Sequence, residues 1–283
     1  MSLDAWRAQF ERDGFFIIRG ALTADEVRGY RDALDRAYLA AEASGRIPAE
    51  GSLHQLSAVA HCPEAAGLLD HPVTFPYVWS LLGWNIHVYH SHIDVHPPLR
   101  ARRPFRFEWH QDGGRQNREL ETSPRPRLSV KLAYWLSDVS EPGRGNFKIV
   151  PGSHRANRID GPPSRDVVWP DPEGAVEVTA APGDVVLFDR RLWHARSDNY
   201  SSYTRKAIFF GYTYRWIAMR DENDTIWSTS LNTTLTPVQR QLLGGLDDDR
   251  GDHAWGHDPR TTPLNGWLKE RGLLDPGNPA LKP

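Results

Sequence analysis

The chain has 283 residues, of which 39% are hydrophobic and 25% charged, and its formal net charge is -2. These are ordinary values for a globular protein, and no apolar run approaches the roughly 20 residues that a membrane-spanning helix needs. The near-neutral charge gives no footprint for nucleic acid, and a single cysteine, Cys62, excludes an internal disulfide and a zinc–thiolate cluster, so any metal must rest mainly on nitrogen and oxygen ligands.

The opening MetSerLeuAspAlaTrpArg lacks a basic segment leading into an apolar one, which predicts a cytoplasmic protein without a secretory signal. Trp6 and Phe10 stand at i and i+4 of a short amphipathic helix, and GlyPhePheIleIleArgGly at 14–20 follows as a buried strand. Thr23 with Glu26 forms a capping box ahead of Val27, Tyr30, Leu34 and Tyr38 at helical spacing. The stretch 68–82 reads as partly helical, with Pro72 and Pro76 tolerated only near a first turn.

From about residue 85 the texture changes to short β-rich runs separated by Gly, Pro and Asn, the pattern of a β-sandwich or barrel. The expected strands are 86–95, 128–136, 147–150, 175–179, 184–188 and 205–216. Residues 156–174 read as a long surface excursion that could serve as a lid. Thr236 and Pro237 open a short helix ending near Gly244, and the remaining tail reads as irregular. One domain is expected: a helical N-terminal part over 1–82, a β core over 85–217 and an irregular or helical C-terminal part.

The stretch TrpHisGlnAspGlyGly at 109–114 carries the chemistry. On a strand His110 and Asp112 would project from one face about 6 to 7 Å apart along the chain. Two histidines and one carboxylate on one face of an octahedron leave positions open for a co-substrate and dioxygen at Fe(II). His194 supplies the third ligand, because ProGlyAspValValLeuPhe at 182–188 makes a turn and a strand that would deliver it to a barrel mouth. His92 and Asp94 offer the same spacing, with His87, His90 and His96 crowded around them. The later pair is preferred because two glycines follow it and give a ligand room, whereas His92-Asp94 lies within an unbroken strand-like run. His253 and His257 are set aside because Gly251, Gly256 and Pro259 argue against the helix that would align them, and His154 more simply fixes a turn.

These segments together resemble the phytanoyl-CoA dioxygenase family of Fe(II)/2-oxoglutarate-dependent oxygenases. The likeness runs from PheGluArgAspGlyPhePhe at 10–16, through TrpHisGlnAspGly at 109–113 and the stretch 136–154, to ProGlyAspValValLeuPhe ahead of His194. It implies a mainly β, double-stranded β-helix (jelly roll) with flanking helices, carrying Fe(II) on His110, Asp112 and His194 and using 2-oxoglutarate and O2 as co-substrates. Arg205 lies eleven residues after His194, at the spacing of the family's 2-oxoglutarate-binding arginine, and its planar fork suits a distal carboxylate. Ser197 and Lys131 are further candidate contacts to the co-substrate. Family members often carry serine two residues after the distal histidine, where this chain has Arg196.

Gln111, Gly114, Arg115, Trp193 and His92 are the candidate substrate contacts, and Arg100, Arg102, Arg103 and Arg106 form a basic cluster that could meet an anionic group. The expected reaction is hydroxylation, ring closure, desaturation or epimerisation of a small molecule, with specialised metabolism preferred over an acyl-CoA hydroxylase because the Leu-Lys-Pro end carries no peroxisomal signal. A Zn(II) hydrolase on the same ligands and a non-catalytic binding barrel are the rival readings. A monomer or homodimer is expected, with no nucleic-acid or membrane partner.

Overall fold

The computed structural model describes residues 3–102, 108–114, 116–161, 167–245 and 259–282. Contacts separate two compact units, Met1–His54 with Ile93–Ile208 and Gln55–His92 with Phe209–Pro283. The division cuts across the expected sequence blocks, because strands β3 (Ile86–His96) and β9 (Arg205–Tyr214) each give residues to both units.

In the first unit, helix α1 (Leu3–Asp13) buries Trp6 and Phe10, whose ring centroids lie 6.3 Å apart, as the i, i+4 spacing requires. Strand β1 (Phe15–Ile18) pairs antiparallel with β7 (Val185–Asp189), Phe15 opposite Phe188. On its other side β7 pairs antiparallel with β4 (Ser129–Trp135), Lys131 opposite Phe188. Both β4 and β7 are buried along their whole length, which explains their largely apolar character, with Lys131 and Asp189 as the buried charges among them. Helix α2 (Ala24–Ala43) has both halves of its Thr23–Glu26 capping box, with Val27 and Leu34 buried beneath it.

Completed by β2 (Leu53–Leu56), the larger sheet has the order β1-β7-β4-β9-β3-β2, and a smaller one is ordered β6-β5-β8, from Val176–Val178, Phe147–Ile149 and His194–Arg196. In the small sheet Ile149 lies opposite His194 and Phe147 opposite Arg196. Directly opposed residues share a face, so these four side chains project together, while Lys148 and Ala195 project the other way. The second face is capped by Trp109: Lys148 Nζ sits 5.8 Å from its ring centroid, and Ala195 packs in the same apolar cluster.

In the second unit, helix Phe75–Leu82 takes Pro76 in its first turn, as a proline requires. Its Phe75 ring lies 5.9 Å from that of Tyr212, whose hydroxyl donates to the Leu69 carbonyl at 2.8 Å. Helix Pro237–Leu242 carries a second capping box, Thr236 with Gln239. The C-terminal tail departs from the irregular course expected for it. It contains the helix Pro263–Glu270, with Leu264 and Leu268 fully buried one turn apart and the backbone N–H of Leu264 donating to the buried Gln241 side chain at 2.9 Å. Tertiary burial of that pair sustains a helix too short to be signalled by its periodicity. Among the described residues no helix is long and apolar enough to cross a membrane. His253 and His257 lie outside the described residues, as does the middle of the 156–174 excursion.

Candidate metal centre

The two parts of the centre are stitched by backbone. His110 and His194 exchange N–H···O bonds of 3.0 and 2.9 Å as an isolated antiparallel bridge, and the Asp112 N–H donates to the Arg190 carbonyl at 2.9 Å. His110 is thus a single bridge residue followed by a turn, in place of the strand expected from the HxD spacing. The turn passes through Gly113 at φ +112, where a Cβ would meet Arg190 Nη1 at 2.8 Å and Asn117 Oδ1 at 2.9 Å. Arg190 in turn donates to Asn117 Oδ1 at 2.8 Å, and the Asn117 amide donates to the Asp112 carbonyl at 2.9 Å, which locks the loop.

Delivery of His194 depends on Asp189 at the end of β7, which is fully buried. Its carboxylate accepts from Arg191 Nε at 2.8 Å and Nη2 at 2.7 Å and from Arg127 Nε at 2.7 Å. Buried charge of this kind holds geometry only when every oxygen is engaged, as here.

One ligand atom from each of His110, Asp112 and His194 lies within 4.8 Å of the other two. Each histidine has its Nδ1 at 2.8 Å from a backbone carbonyl, of Glu108 and Leu192 respectively, so the Nδ1–H tautomer leaves each Nε2 lone pair bare. Asp112 Oδ2 lies 3.9 Å from His194 Nε2 and 2.9 Å from Lys131 Nζ. That oxygen is buried without a well-directed hydrogen bond, so the Lys131 contact is an ion pair of poor geometry that leaves acceptor capacity. Burial pushes the Asp112 carboxyl up, but the Lys131 ammonium, joined by His194 and His110 only when they protonate, outweighs it and holds the group ionised. Burial and the neighbouring His110 push the His194 imidazole down to about 3, so it is neutral. Bare imidazole nitrogens and an ionised carboxylate converging on one point fit a divalent cation.

The rival pair is otherwise engaged. Asp94 Oδ2 accepts from Arg205 Nη1 at 2.7 Å, and Asp94 Oδ1 lies 2.7 Å from His54 Nδ1. His92 stacks on Phe209 with ring centroids 4.3 Å apart, so this candidate substrate contact is placed in a packed strand. Arg205 is buried, its guanidinium 4.7 Å from the Trp135 ring centroid. Arg196 shares His194's face, and its Nη1 donates to His96 Nε2 at 2.7 Å. Ser197, just past the strand, is buried and lines a different cavity with Lys148. Arg196 takes the position on His194's face of the strand.

A cavity of about 540 Å³ opens beside His110. The candidate substrate contacts Gln111, Gly114 and Trp193 line it, together with Arg118, Arg125, Asn157 and Arg158, which no sequence motif singled out. Gln111 is a brace: its Nε2 donates to the Ala156 carbonyl at 2.9 Å, and its Oε1 accepts from Arg125 Nη1 at 3.1 Å. Of the basic cluster, Arg100 pairs with Glu50 and Arg102 lies over the Tyr200 ring at 5.2 Å, while Arg103 and Arg106 lie outside the described residues. Arg115 also lies outside them.

A family model described as phytanoyl-CoA dioxygenase matches residues 10–207, which takes in the end of the opening helix, all three candidate ligands and Arg205. The chain belongs to the phytanoyl-CoA dioxygenase family. Curated relatives of this family member include ectoine dioxygenase of Nocardia farcinica, 26% identical over 71% of this chain and 74% of the relative, and that of Streptomyces coelicolor, 24% identical over 84% and 83%. Among solved structures, the non-haem α-ketoglutarate-dependent carbocyclase SnoK from nogalamycin biosynthesis is 26% identical, with a TM-score of 0.56 over 81% of this chain and 91% of its own. HygX from Streptomyces hygroscopicus with nickel and 2-oxoglutarate bound is 18% identical, with a TM-score of 0.58 over 77% and 89%, and shares the fold. The mainly antiparallel architecture with flanking helices is therefore the jelly roll of these oxygenases.

Proposed function

We propose that this member of the phytanoyl-CoA dioxygenase family is an Fe(II)- and 2-oxoglutarate-dependent dioxygenase of a small molecule in specialised metabolism, with iron on His110, Asp112 and His194. The observation that carries the assignment is the convergence of two bare Nε2 atoms and an ionised carboxylate within 4.8 Å. When bound, iron with 2-oxoglutarate and O2 supplies the oxidising equivalent that the side chains lack.

The chain's own residues orient and exclude. The Glu108 and Leu192 carbonyls fix the two imidazoles, and Lys131 offsets the charge of Asp112. Arg205 is assigned to the distal carboxylate of 2-oxoglutarate. A guanidinium carries five N–H donors in a fork, so the contact of its Nη1 with Asp94 is compatible with a second carboxylate on the remaining donors. Support for a small-molecule substrate comes from the relatives, named for ectoine and for nogalamycin biosynthesis.

Anaerobic loading with Fe(II) and 2-oxoglutarate, then measurement of succinate release on admission of O2, tests the assignment. Release that is iron-dependent and lost in Asp112→Ala is the expected result. A preparation that binds zinc and releases no succinate with iron would instead favour hydrolysis at the same ligands.

A further inference from the structure

The cavity beside His110 has an uneven charge. Arg118, Arg125 and Arg158 line it, and no aspartate or glutamate stands among its described lining residues. Two carboxylates that contact lining residues are engaged elsewhere: Asp112 turns to the other candidate ligands and Lys131, and Asp171 accepts from the Trp109 indole Nε1 at 3.0 Å and pairs with Lys148. Arg118 and Arg158 are exposed and have no hydrogen bond or ion pair among the described residues. Arg125 is partly buried and differs in kind. Its Nη1 is held by Gln111 Oε1 at 3.1 Å and the Asn157 carbonyl at 3.3 Å, both neutral, and its Nε is buried without a hydrogen-bond partner.

Three guanidinium groups with no carboxylate among the described lining residues raise the local concentration of anions, and a desolvated, unpaired N–H costs stability until an acceptor reaches it. Trp193 supplies an apolar wall, its indole Nε1 donating to the Ala156 carbonyl at 3.3 Å, so its ring is fixed before any ligand arrives.

We propose that this cavity selects a substrate bearing an anionic group, a carboxylate, phosphate or sulfate, on a body with an apolar face that packs on Trp193. Arg125 is the oriented anchor, held by Gln111, and Arg118 and Arg158 supply the steering field. The inference rests on the functional reading above only in that His110, which lines the cavity, is taken as a metal ligand. The anion then fixes the distance at which the rest of the molecule lies from the metal.

Two dyes that share one aromatic body test the charge requirement on the full chain. Anilinonaphthalene sulfonate carries an anionic group, and phenylnaphthylamine is its uncharged parent. Fluorescence titration should show the sulfonate bound about ten-fold or more tightly than the parent, a difference of the size expected for one charge-assisted contact. Arg125→Gln should remove most of that preference and leave the parent's affinity unchanged. Because Arg125 also braces the loop, the double variant Arg118→Gln/Arg158→Gln, at two exposed positions, provides a fold-neutral check and should weaken the sulfonate alone. Equal affinity for the two dyes, or a preference that survives both variants, would overturn the proposal. Anaerobic titration of the same protein with Fe(II) and 2-oxoglutarate reads the functional assignment separately. Failure there with sulfonate selectivity intact would sink the oxygenase reading and leave the anion site standing.

Discussion

Asp94 and Arg205 form a buried ion pair, Oδ2 accepting from Nη1 at 2.7 Å, with the two side chains 6% and 2% exposed. Removing one partner of such a pair leaves an uncompensated charge, at a cost of about 3 to 5 kcal/mol. Asp94→Ala should therefore lower the urea midpoint sharply, and Asp94→Ala/Arg205→Met should recover much of the loss. The single variant should still bind one divalent cation, because His110, Asp112 and His194 are untouched. Loss of metal binding in Asp94→Ala with folding intact would return the centre to the earlier HxD pair.

Lys131 Nζ, 2.9 Å from Asp112 Oδ2, competes with a cation for the same oxygen. Lys131→Met should leave divalent-metal affinity unchanged or raise it, since the carboxylate loses a neutralising partner. If Lys131 also reaches the co-substrate, the same variant should weaken 2-oxoglutarate about ten-fold, the order of one charge-assisted hydrogen bond. Calorimetric titration of Mn(II) and then 2-oxoglutarate reads the two effects in turn. A large loss of metal affinity would mean that the ammonium organises the carboxylate and does not compete with the cation.

What the sequence made legible was local. Seven residues, ProGlyAspValValLeuPhe, announce a turn and strand, and β7 forms there with His194 following it. The HxD pair and its glycines are likewise contiguous, and the structure brings them to His194 through one bridge. Partnerships across the chain were hidden: Asp94 and Arg205 are 111 positions apart, and Glu11, Arg127 and Asp189 come from three separate segments. The arginines of the cavity share no motif, and only folding assembles them.

Two buried histidines predict an acid-side loss of stability. Burial, with Arg215 adding and the Ile217 backbone opposing, pushes His87 down to about 4, and burial pushes His96 to about 4 against the attraction of Asp94. Their folded pKa values lie below the ordinary value near 6.5, so the unfolded chain binds protons first. Stability from these groups is complete above pH about 6.5, falls as pH drops toward 4 and then levels, each contributing on the order of 3 kcal/mol. Urea midpoints measured across this window should trace that fall. His87→Gln, which cannot titrate, should flatten part of it, and an unchanged slope would show that His87 protonates without penalty.

Gly113 and Gly114 separate backbone strain from close packing at the metal loop. Both have positive φ, +112 and +44, so alanine at either bears a conformational cost. Only at Gly113 would the new Cβ also collide, with Arg190 Nη1 at 2.8 Å and Asn117 Oδ1 at 2.9 Å, whereas Gly114 has nothing within 4 Å. Arg190 is itself almost fully buried and tied to Asn117, which holds the Asp112 carbonyl, so displacement passes directly to a ligand. Gly113→Ala should then weaken divalent-metal binding about ten-fold or more, the size seen when groups that support metal ligands are disturbed. Gly114→Ala should cost about 1 to 2 kcal/mol of stability with metal affinity nearly retained. Parallel Mn(II) titrations of the two variants decide the matter. Equal losses of affinity would show that strain alone governs the loop, and retention in both would mean that the Arg190–Asn117 brace yields without moving Asp112.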